Sequence, residues 1–165
     1  GDIFSESGGS KVIKSFKDFL IEWKKDRGTS LPYDALVVGH DCNCKGKERI
    51  KKKFSSPARR AGYPEDRIIY ALPDPYVERW YLADPGALLE TIEGSESPGE
   101  IPYVHKKGKQ TFYKDKMYET LQKNGIRSPL AGAELGDQIA ERVDIMKLSN
   151  VDPNFKDFCE AIRRL

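Results

Sequence analysis

Acidic and amide side chains follow short hydrophobic stretches at three places in the chain. Asp41 and Asn43 come directly after the apolar run 35–39, Glu6 ends a partly apolar stretch near the start, and Asp74 follows a later run. In open parallel sheets, ligands bind beyond the carboxyl ends of the strands, where such residues would lie. Hard oxygen ligands suit Mg²⁺ or Mn²⁺, which can activate water and clamp phosphate oxygens. The pattern therefore predicts a metal site, with catalytic roles, for Glu6, Asp41 and Asn43.

Two more acids bracket an aromatic segment, residues 80–82. Glu78 and Asp84 are six positions apart and do not share a helical face, so they are not expected to act together. We expect Glu78 to be a fourth catalytic residue and Asp84 to be a local cap or salt-bridge partner. The aromatic segment itself is predicted to lie in the core.

His40 adjoins Asp41, but alternation along a strand would point the two side chains to opposite faces. We therefore expect His40 to be a packed, hydrogen-bonded histidine. A second interpretation of the neighbouring polar residues stays open at this stage. Asp41 and Asn43 would then cap the helix that follows, and Glu6 would be merely exposed.

A strongly basic segment follows the proposed site. It contains eight basic residues against one acid, Glu48, and is predicted to form a helix that Pro57 ends. Lys45 and Arg49, nearest the proposed metal end, are expected to bind phosphate. The whole run would track the backbone of DNA or RNA, or else form a solvated face. The basic residues are Lys45, Lys47, Arg49, Lys51, Lys52, Lys53, Arg59 and Arg60. A second basic patch occupies residues 105–109.

Hydrophobic patterning in the first half of the chain predicts alternating strands and helices. Strands are expected at residues 2–6, 33–39 and 67–72, with a helix over 11–27 that Ser10 caps and the basic helix between the last two strands. A continuous apolar strand is typical of a parallel sheet covered on both faces. The predicted class is α/β, a mostly parallel sheet flanked by helices.

The second half is predicted to be helical. Helices are expected over residues 76–84, 114–123 and 134–147, and a further apolar piece, 87–92, extends the first. Residues 93–110 are polar and lack a period, which favours a long loop or lid. Asp152 and Pro153 supply an N-cap and first residue for a last helix. Its inward-facing residues are predicted to be Phe155, Phe158, Cys159 and Ile162.

Composition limits the class of protein. The 165 residues are 38% hydrophobic and 33% charged, which fits one globular domain over residues 1–165 and leaves no run long enough to cross a membrane. No export signal is recognisable, so a cytoplasmic location is expected. Three cysteines, two of them in a Cys-x-Cys pair, argue against disulfides and against zinc. The net charge of +2 means that any nucleic-acid argument depends on local clustering.

The chain resembles the Toprim fold, the metal-binding domain of topoisomerases, primases and OLD-type nucleases, and more closely an uncharacterised prokaryotic Toprim-like family. In that pattern a glutamate and glycine follow the first strand, and an Asp-x-Asp pair follows a later one. Residues 4–9 and 37–43 occupy those places, and the run 73–84 and the phenylalanine-rich residues 154–158 also fit. The chain departs from the pattern at Asn43, which replaces the second aspartate and weakens divalent-metal binding.

The resemblance implies a Toprim-like, Rossmann-like sheet and Mg²⁺-assisted phosphodiester chemistry. The leading hypothesis is thus a nuclease-like protein that uses Mg²⁺ or Mn²⁺ on DNA or RNA. A non-catalytic nucleic-acid-binding or interaction module with a degenerate metal site is the alternative. A small-molecule phosphoesterase or a nucleotide-binding protein using the same site is a third possibility.

Overall fold

The computed structural model describes residues 9–25, 33–104, 111–128 and 132–165. Within these ranges the chain is α/β and mostly helical, with eight α-helices around a two-stranded parallel sheet. The helices are α1 (Gly9–Lys25), α2 (Lys47–Ala61), α3 (Glu78–Ala83), α4 (Pro85–Thr91), α5 (Phe112–Lys123), α6 (Gly136–Arg142), α7 (Ile145–Val151) and α8 (Pro153–Ile162). The strands are β1 (Leu36–Gly39) and β2 (Ile68–Ala71), and short 3₁₀ turns occupy Glu65–Arg67 and Ala133–Leu135. The strand predicted at residues 2–6 and the basic patch at 105–109 lie outside the described residues.

The sheet pairs β1 with β2 in parallel, with Leu36 opposite Ile68 and Gly39 opposite Ala71. Because parallel neighbours need a crossover connection, α2 lies between the two strands in the chain, as predicted. One face of the sheet packs on α1 and α2 in a core that includes Val38. In this core the rings of Phe16 and Phe54 meet edge to face, with centroids 5.3 Å apart. The α/β class predicted from the apolar runs is confirmed.

The opposite face of the sheet is only partly covered. Ile69 is buried and Ala71 packs against a cluster that includes Phe155 of α8, but Val37 is 54% exposed. The continuous apolar sequence of β1 predicted a strand covered on both faces. That prediction is wrong, because one face of β1 is partly open. β1 also begins at Leu36, three residues later than expected. A continuous apolar sequence therefore does not distinguish a short strand with one open face from a strand that is buried on both faces.

The basic helix α2 continues past Pro57, so the prediction that this proline ends it is wrong. The proline costs the helix one backbone hydrogen bond. Burial of Phe54 and Ala58 on either side holds the helix together. It ends four residues later at Ala61, and the following Gly62 has a φ of 81°, the left-handed C-cap conformation that glycine favours.

The single helix predicted for residues 134–147 is also wrong, because the chain breaks between α6 and α7. Asp144 caps α7, its side chain accepting a hydrogen bond from the Lys147 backbone N–H at 3.0 Å. Its own N–H donates to Asp84 at 2.9 Å instead of continuing a helix. Lys147 also pairs with Asp84 at 2.7 Å, which confirms the predicted structural role of that acid. Tertiary hydrogen bonds to Asp84 override helical periodicity here.

The last helix begins as predicted, with Asp152 accepting a hydrogen bond from the Phe155 N–H at 2.9 Å and Pro153 in the first turn. Phe155 is buried, whereas Ile162 is 42% exposed because the end of α8 extends beyond the cluster formed with Trp80. The prediction that Ile162 faces inward is therefore wrong.

The segment 93–104 contains neither helix nor strand, as expected for a loop, but its ends are fixed to α5. The side-chain oxygen of Asn124 accepts from the N–H groups of Ser95 and Glu96, both at 2.9 Å. At the other end, the Tyr113 hydroxyl accepts from the Val104 N–H at 2.8 Å. Whether the whole stretch 93–110 acts as a lid stays a prediction.

All three cysteines are free, which agrees with the expectation of no disulfide framework. In the described part of the chain no helix is both long and apolar enough to span a membrane.

A core truncation tests this packing. Leu88 of α4 is completely buried in the cluster formed by α3 to α6. We expect Leu88→Ala to lower the free energy of unfolding by about 2–5 kcal/mol, because the cavity left behind closes only in part. Urea denaturation followed by circular dichroism measures the change. Met146→Ala is the control, since Met146 is 65% exposed and its truncation should change stability by less than about 1 kcal/mol.

Candidate functional site

Two loops leave the carboxyl ends of β1 and β2 side by side, and backbone hydrogen bonds continue the strand pairing between them. The N–H of His40 donates to Ala71 at 3.0 Å, that of Cys42 to Pro73 at 2.8 Å, and that of Asn43 to Pro75 at 2.9 Å. Main-chain groups make these bonds, so this part of the loop pairing is formed whatever the side chains are.

A cleft of about 560 Å³ opens at this end of the sheet, and we call it the strand-end cleft. Its position agrees with the rule that ligands bind beyond the carboxyl ends of parallel strands. The cleft is lined by Gly9, Val12, Gly39, His40, Asp41, Asn43, Ala71, Pro73, Tyr76, Val77, Trp80 and Lys114. Two predicted site residues, Asp41 and Asn43, thus share one cavity.

The Asp41 carboxylate is held by the start of the α3 segment, because its Oδ1 accepts from the Val77 N–H at 3.0 Å. Burial raises the pKa of Asp41 above its ordinary value. The Val77 hydrogen bond and the electrostatic influence of Lys114 and His40 lower that pKa but do not cancel the effect of burial. Asp41 is therefore a carboxylate short of compensating positive charge.

Asn43 and His40 both donate to the same acceptor, the backbone carbonyl of Asp41. The Asn43 Nδ2 atom lies 3.2 Å from this oxygen and the His40 Nδ1 atom lies 2.6 Å from it. The Asn43 backbone has a φ of 53°, a left-handed conformation that asparagine tolerates better than most residues. Its amide nitrogen is engaged, so its amide oxygen is the atom suited to bind a cation.

His40 is packed and hydrogen-bonded, as predicted, with its ring 5.6 Å from that of Phe54. The prediction that it points away from Asp41 rests on strand alternation, and both residues line the strand-end cleft. β1 ends at Gly39, so strand alternation no longer applies at these two residues. Gly9 lies against the imidazole, and a Cβ atom there would approach Nε2 to 2.5 Å.

Glu78 is 6% exposed and belongs to the same charged group. Burial raises its pKa, a backbone hydrogen bond and the charge of Lys114 lower it, and the charge of Asp41 raises it. Among the described residues its Oε2 atom has no hydrogen-bond partner. Glu78 does not line the cleft, and its catalytic role stays a prediction.

Lys114 supplies positive charge to this group. It lies in the first turn of α5, lines the cleft, and places its Nζ atom 4.6 Å from the ring centroid of Tyr76. Sequence analysis missed this residue, because nothing in the spacing of α5 relates it to Asp41. Only the packing of α5 on α3 brings it there.

The phosphate-binding pair predicted from the basic run is not in the cleft. Lys45 and Arg49 are exposed and do not line it. The interpretation of Asp41 and Asn43 as caps of α2 is wrong. The N-cap of α2 is Gly46, and no side chain makes a capping hydrogen bond at this end of the helix. Glu6 lies outside the described residues.

Asp74 and the cysteines support the loops. The Asp74 Oδ1 atom accepts from the Cys44 N–H at 3.1 Å, and the Cys42 thiol donates to the Leu72 carbonyl at 3.6 Å. Burial, reinforced by Asp74 and Asp41, raises the pKa of Cys42 to about 12. Cys42 is therefore protonated at neutral pH, which makes it a poor nucleophile and a poor zinc ligand.

The cleft contains some of the oxygen ligands that a divalent cation needs. Over residues 9–25, 33–104, 111–128 and 132–165, no three His, Cys, Asp or Glu side chains converge as a metal-binding group. Asp41 and Asn43 nevertheless offer hard oxygen atoms, and Glu78 adds a buried carboxylate oxygen without a partner among those residues. Mg²⁺ commonly binds one or two carboxylates and completes its shell with water. The chemistry of the donors fits such an ion.

Comparisons of the chain with protein-family profiles, curated proteins and solved structures found no match.

The buried Glu78 carboxylate predicts a pH-dependent stability. Its pKa is raised in the folded state, so folding favours the protonated form. Stability is then lost as the pH rises through the folded pKa. We expect Glu78→Gln to be more stabilising, relative to the parent chain, at pH 7 than at roughly pH 4, where carboxyl groups begin to titrate.

Urea denaturation across this pH range measures the difference. Glu48→Gln, at an exposed position of α2, is the control and should show a smaller pH trend. A stability gain for Glu78→Gln that is constant or shrinks towards pH 7 would contradict the assignment.

Proposed function

We propose that this chain is a Toprim-like protein that uses Mg²⁺ or Mn²⁺ to hydrolyse nucleic-acid phosphodiesters in the strand-end cleft. The observation that carries the proposal is that Asp41, Asn43 and Lys114 line one cleft at the carboxyl ends of two parallel strands, while the charges of Asp41 and Lys114 both act on the buried Glu78. Carboxylates short of positive charge favour a divalent cation, and a lysine beside them favours a phosphate. The reaction class follows from this pairing of ligands.

The metal would be held by Asp41 and Asn43, with Glu78 assisting. When bound, a divalent ion polarises a phosphoryl oxygen and lowers the pKa of a coordinated water. Glu6 stays in the proposed ligand set, as the sequence pattern predicts.

The chain's own residues supply the other requirements. Lys114 would bind a non-bridging phosphate oxygen, and its contact with Tyr76 restrains the position of its ammonium group. The Val77 N–H occupies one Asp41 oxygen, which orients the other. Glu78, whose pKa burial raises, is a candidate proton donor or acceptor.

The enzymatic hypothesis predicts metal-dependent cleavage. The protein should cleave labelled DNA or RNA with Mn²⁺, and Asp41→Asn should reduce the rate roughly a hundredfold or more because it removes the ligand charge. The asparagine retains an acceptor for the Val77 N–H, which favours a folded variant. Gel-based cleavage assays measure the rate, and Asp18→Asn on the exposed side of α1 is the matched control.

Absence of cleavage by the parent chain with Mg²⁺, Mn²⁺ and Co²⁺ on single- and double-stranded substrates would refute the enzymatic proposal. Electron paramagnetic resonance of Mn²⁺ gives a separate measure of metal binding. Loss of bound Mn²⁺ in Asp41→Asn is expected whether or not the substrate is correct.

Lys114 yields a second prediction. Loss of a charged phosphate contact is worth about 1.5–3 kcal/mol, so Lys114→Ala should raise the KM for the cleaved substrate by roughly tenfold or more. Lys116→Ala removes a charge from the same helix, where Lys116 pairs with Glu119 at 2.5 Å, and should leave KM nearly unchanged. Equal effects of the two substitutions would show that Lys114 does not contact substrate.

One observation favours a second candidate, a non-catalytic nucleic-acid-binding module. Asn43 lowers the negative charge of the site, and the described residues contain no three-acid cluster. Metal-independent, salt-dependent binding without turnover would support this function. If Asp41→Asn abolished nucleic-acid binding, the alternative would lose its basis, since a degenerate site should not control binding.

A further inference from the structure

The basic residues of α2 divide into two groups. Three are engaged with neighbouring side chains: Lys47 pairs with Asp157, Arg59 pairs with Glu65 at 2.7 Å, and Lys51 lies 5.3 Å from the ring centroid of Tyr70. The other four are exposed and have no ion-pair partner among the described residues. These four, Arg49, Lys52, Lys53 and Arg60, are called the outer stripe.

The outer stripe occupies one side of the helix. At about 100° per residue, Lys52, Lys53 and Arg60 lie at about −60°, +40° and +20° from Arg49, all within an arc of about 100°. The buried residues Ile50, Phe54 and Ala58 lie on the opposite side. At about 1.5 Å per residue the stripe is about 16 Å long. Four cations thus form a row directed away from the core, with Ser56 in the gap between Lys53 and Arg60.

The row leads away from the strand-end cleft. α2 begins at Lys47, directly after the loop that carries Asp41 and Asn43. Arg49 therefore lies at the cleft end of the stripe and Arg60 at the far end. A ligand that covers the whole stripe and also reaches the cleft must be an extended polyanion rather than a mononucleotide.

The side chains on the exposed face of α2 limit the kind of ligand that it can bind. The large hydrophobic side chains that are exposed in the described chain include none from α2. A membrane-surface helix needs such side chains to insert, and single-strand binding surfaces use exposed aromatics for base stacking. What remains is contact between cations and phosphates, which carries no sequence information.

We propose that the outer stripe binds the phosphate backbone of a nucleic acid without reading its sequence and directs the polymer to the strand-end cleft. The inference deepens the proposed function, because it names the binding surface for the same substrate. Backbone binding of this kind depends strongly on salt, with a slope of about −0.9 in log K per phosphate neutralised on duplex DNA.

The test replaces all four stripe residues with glutamine (Arg49→Gln, Lys52→Gln, Lys53→Gln and Arg60→Gln), which preserves helix propensity. Fluorescence anisotropy measures affinity for labelled duplexes of unrelated sequence in EDTA at several salt concentrations. We expect at least a tenfold loss of affinity and a shallower salt slope, with equal behaviour on every sequence. The matched control removes four exposed lysines elsewhere (Lys14→Gln, Lys17→Gln, Lys24→Gln and Lys123→Gln).

The inference is overturned if the control weakens binding as much as the stripe variant does, or if the parent chain shows no salt-dependent binding. Tighter binding to polyglutamate or to anionic vesicles than to duplexes would also overturn it. Circular dichroism and urea denaturation establish that each variant is folded, and the double variant Lys52→Gln/Lys53→Gln should show an intermediate loss. Because EDTA removes the metal, loss of binding in the stripe variant without any cleavage by the parent chain would refute catalysis and retain the stripe.

Discussion

The continuation of strand pairing into the two loops is the constraint on which the candidate site depends. β1 and β2 are only four residues each, yet their backbone hydrogen bonds extend past the sheet as far as Asn43 and Pro75. A second tie joins the Asp41 side chain to the Val77 N–H. The cleft is thus defined by main-chain bonds between two neighbouring segments and by one side-chain bond that reinforces them.

At this site the carboxylates of Asp41 and Glu78 are partly shielded from water. The pKa values of Asp41 and Glu78 are both raised by burial, and Lys114 offsets only part of the effect. Such an arrangement costs folding free energy, which is common at functional sites, where groups are placed for binding rather than for stability. The group therefore differs from Asp84, whose pKa is lowered by hydrogen bonds from Asp144 and Lys147 despite its burial. Protein groups therefore stabilise the Asp84 carboxylate, whereas Asp41 and Glu78 favour a bound cation.

The elements of the fold were largely predictable, because apolar periodicity identifies α1, α2, α5, α8 and both strands. The errors arise where tertiary contacts outweigh local preference. Asp84 captures the Asp144 N–H and breaks a periodic helix, and burial on both sides of Pro57 carries α2 through a residue that usually stops helices.

The candidate site was predictable in part for a similar reason. Strand-end position selects Asp41 and Asn43 from sequence alone, since the carboxyl ends of parallel strands converge. Lys114 comes from a helix more than seventy positions later, and no local pattern encodes that proximity. Conversely, Lys45 and Arg49 are close to the site along the chain but outside the cleft. Closeness to the site along the chain does not by itself place a side chain inside the cavity.

The double attachment of segment 93–104 to α5 has a mechanical consequence. Asn124 holds Ser95 and Glu96 near one end of that helix, and Tyr113 holds Val104 near the other. The loop and the helix therefore form one body, although only one of them has regular structure. Since α5 also carries Lys114, any movement of this body relative to the sheet would change the distance between the ammonium group and Asp41. The balance of charge in the cleft therefore depends on the position of segment 93–104, although this segment places no charged group in the cleft.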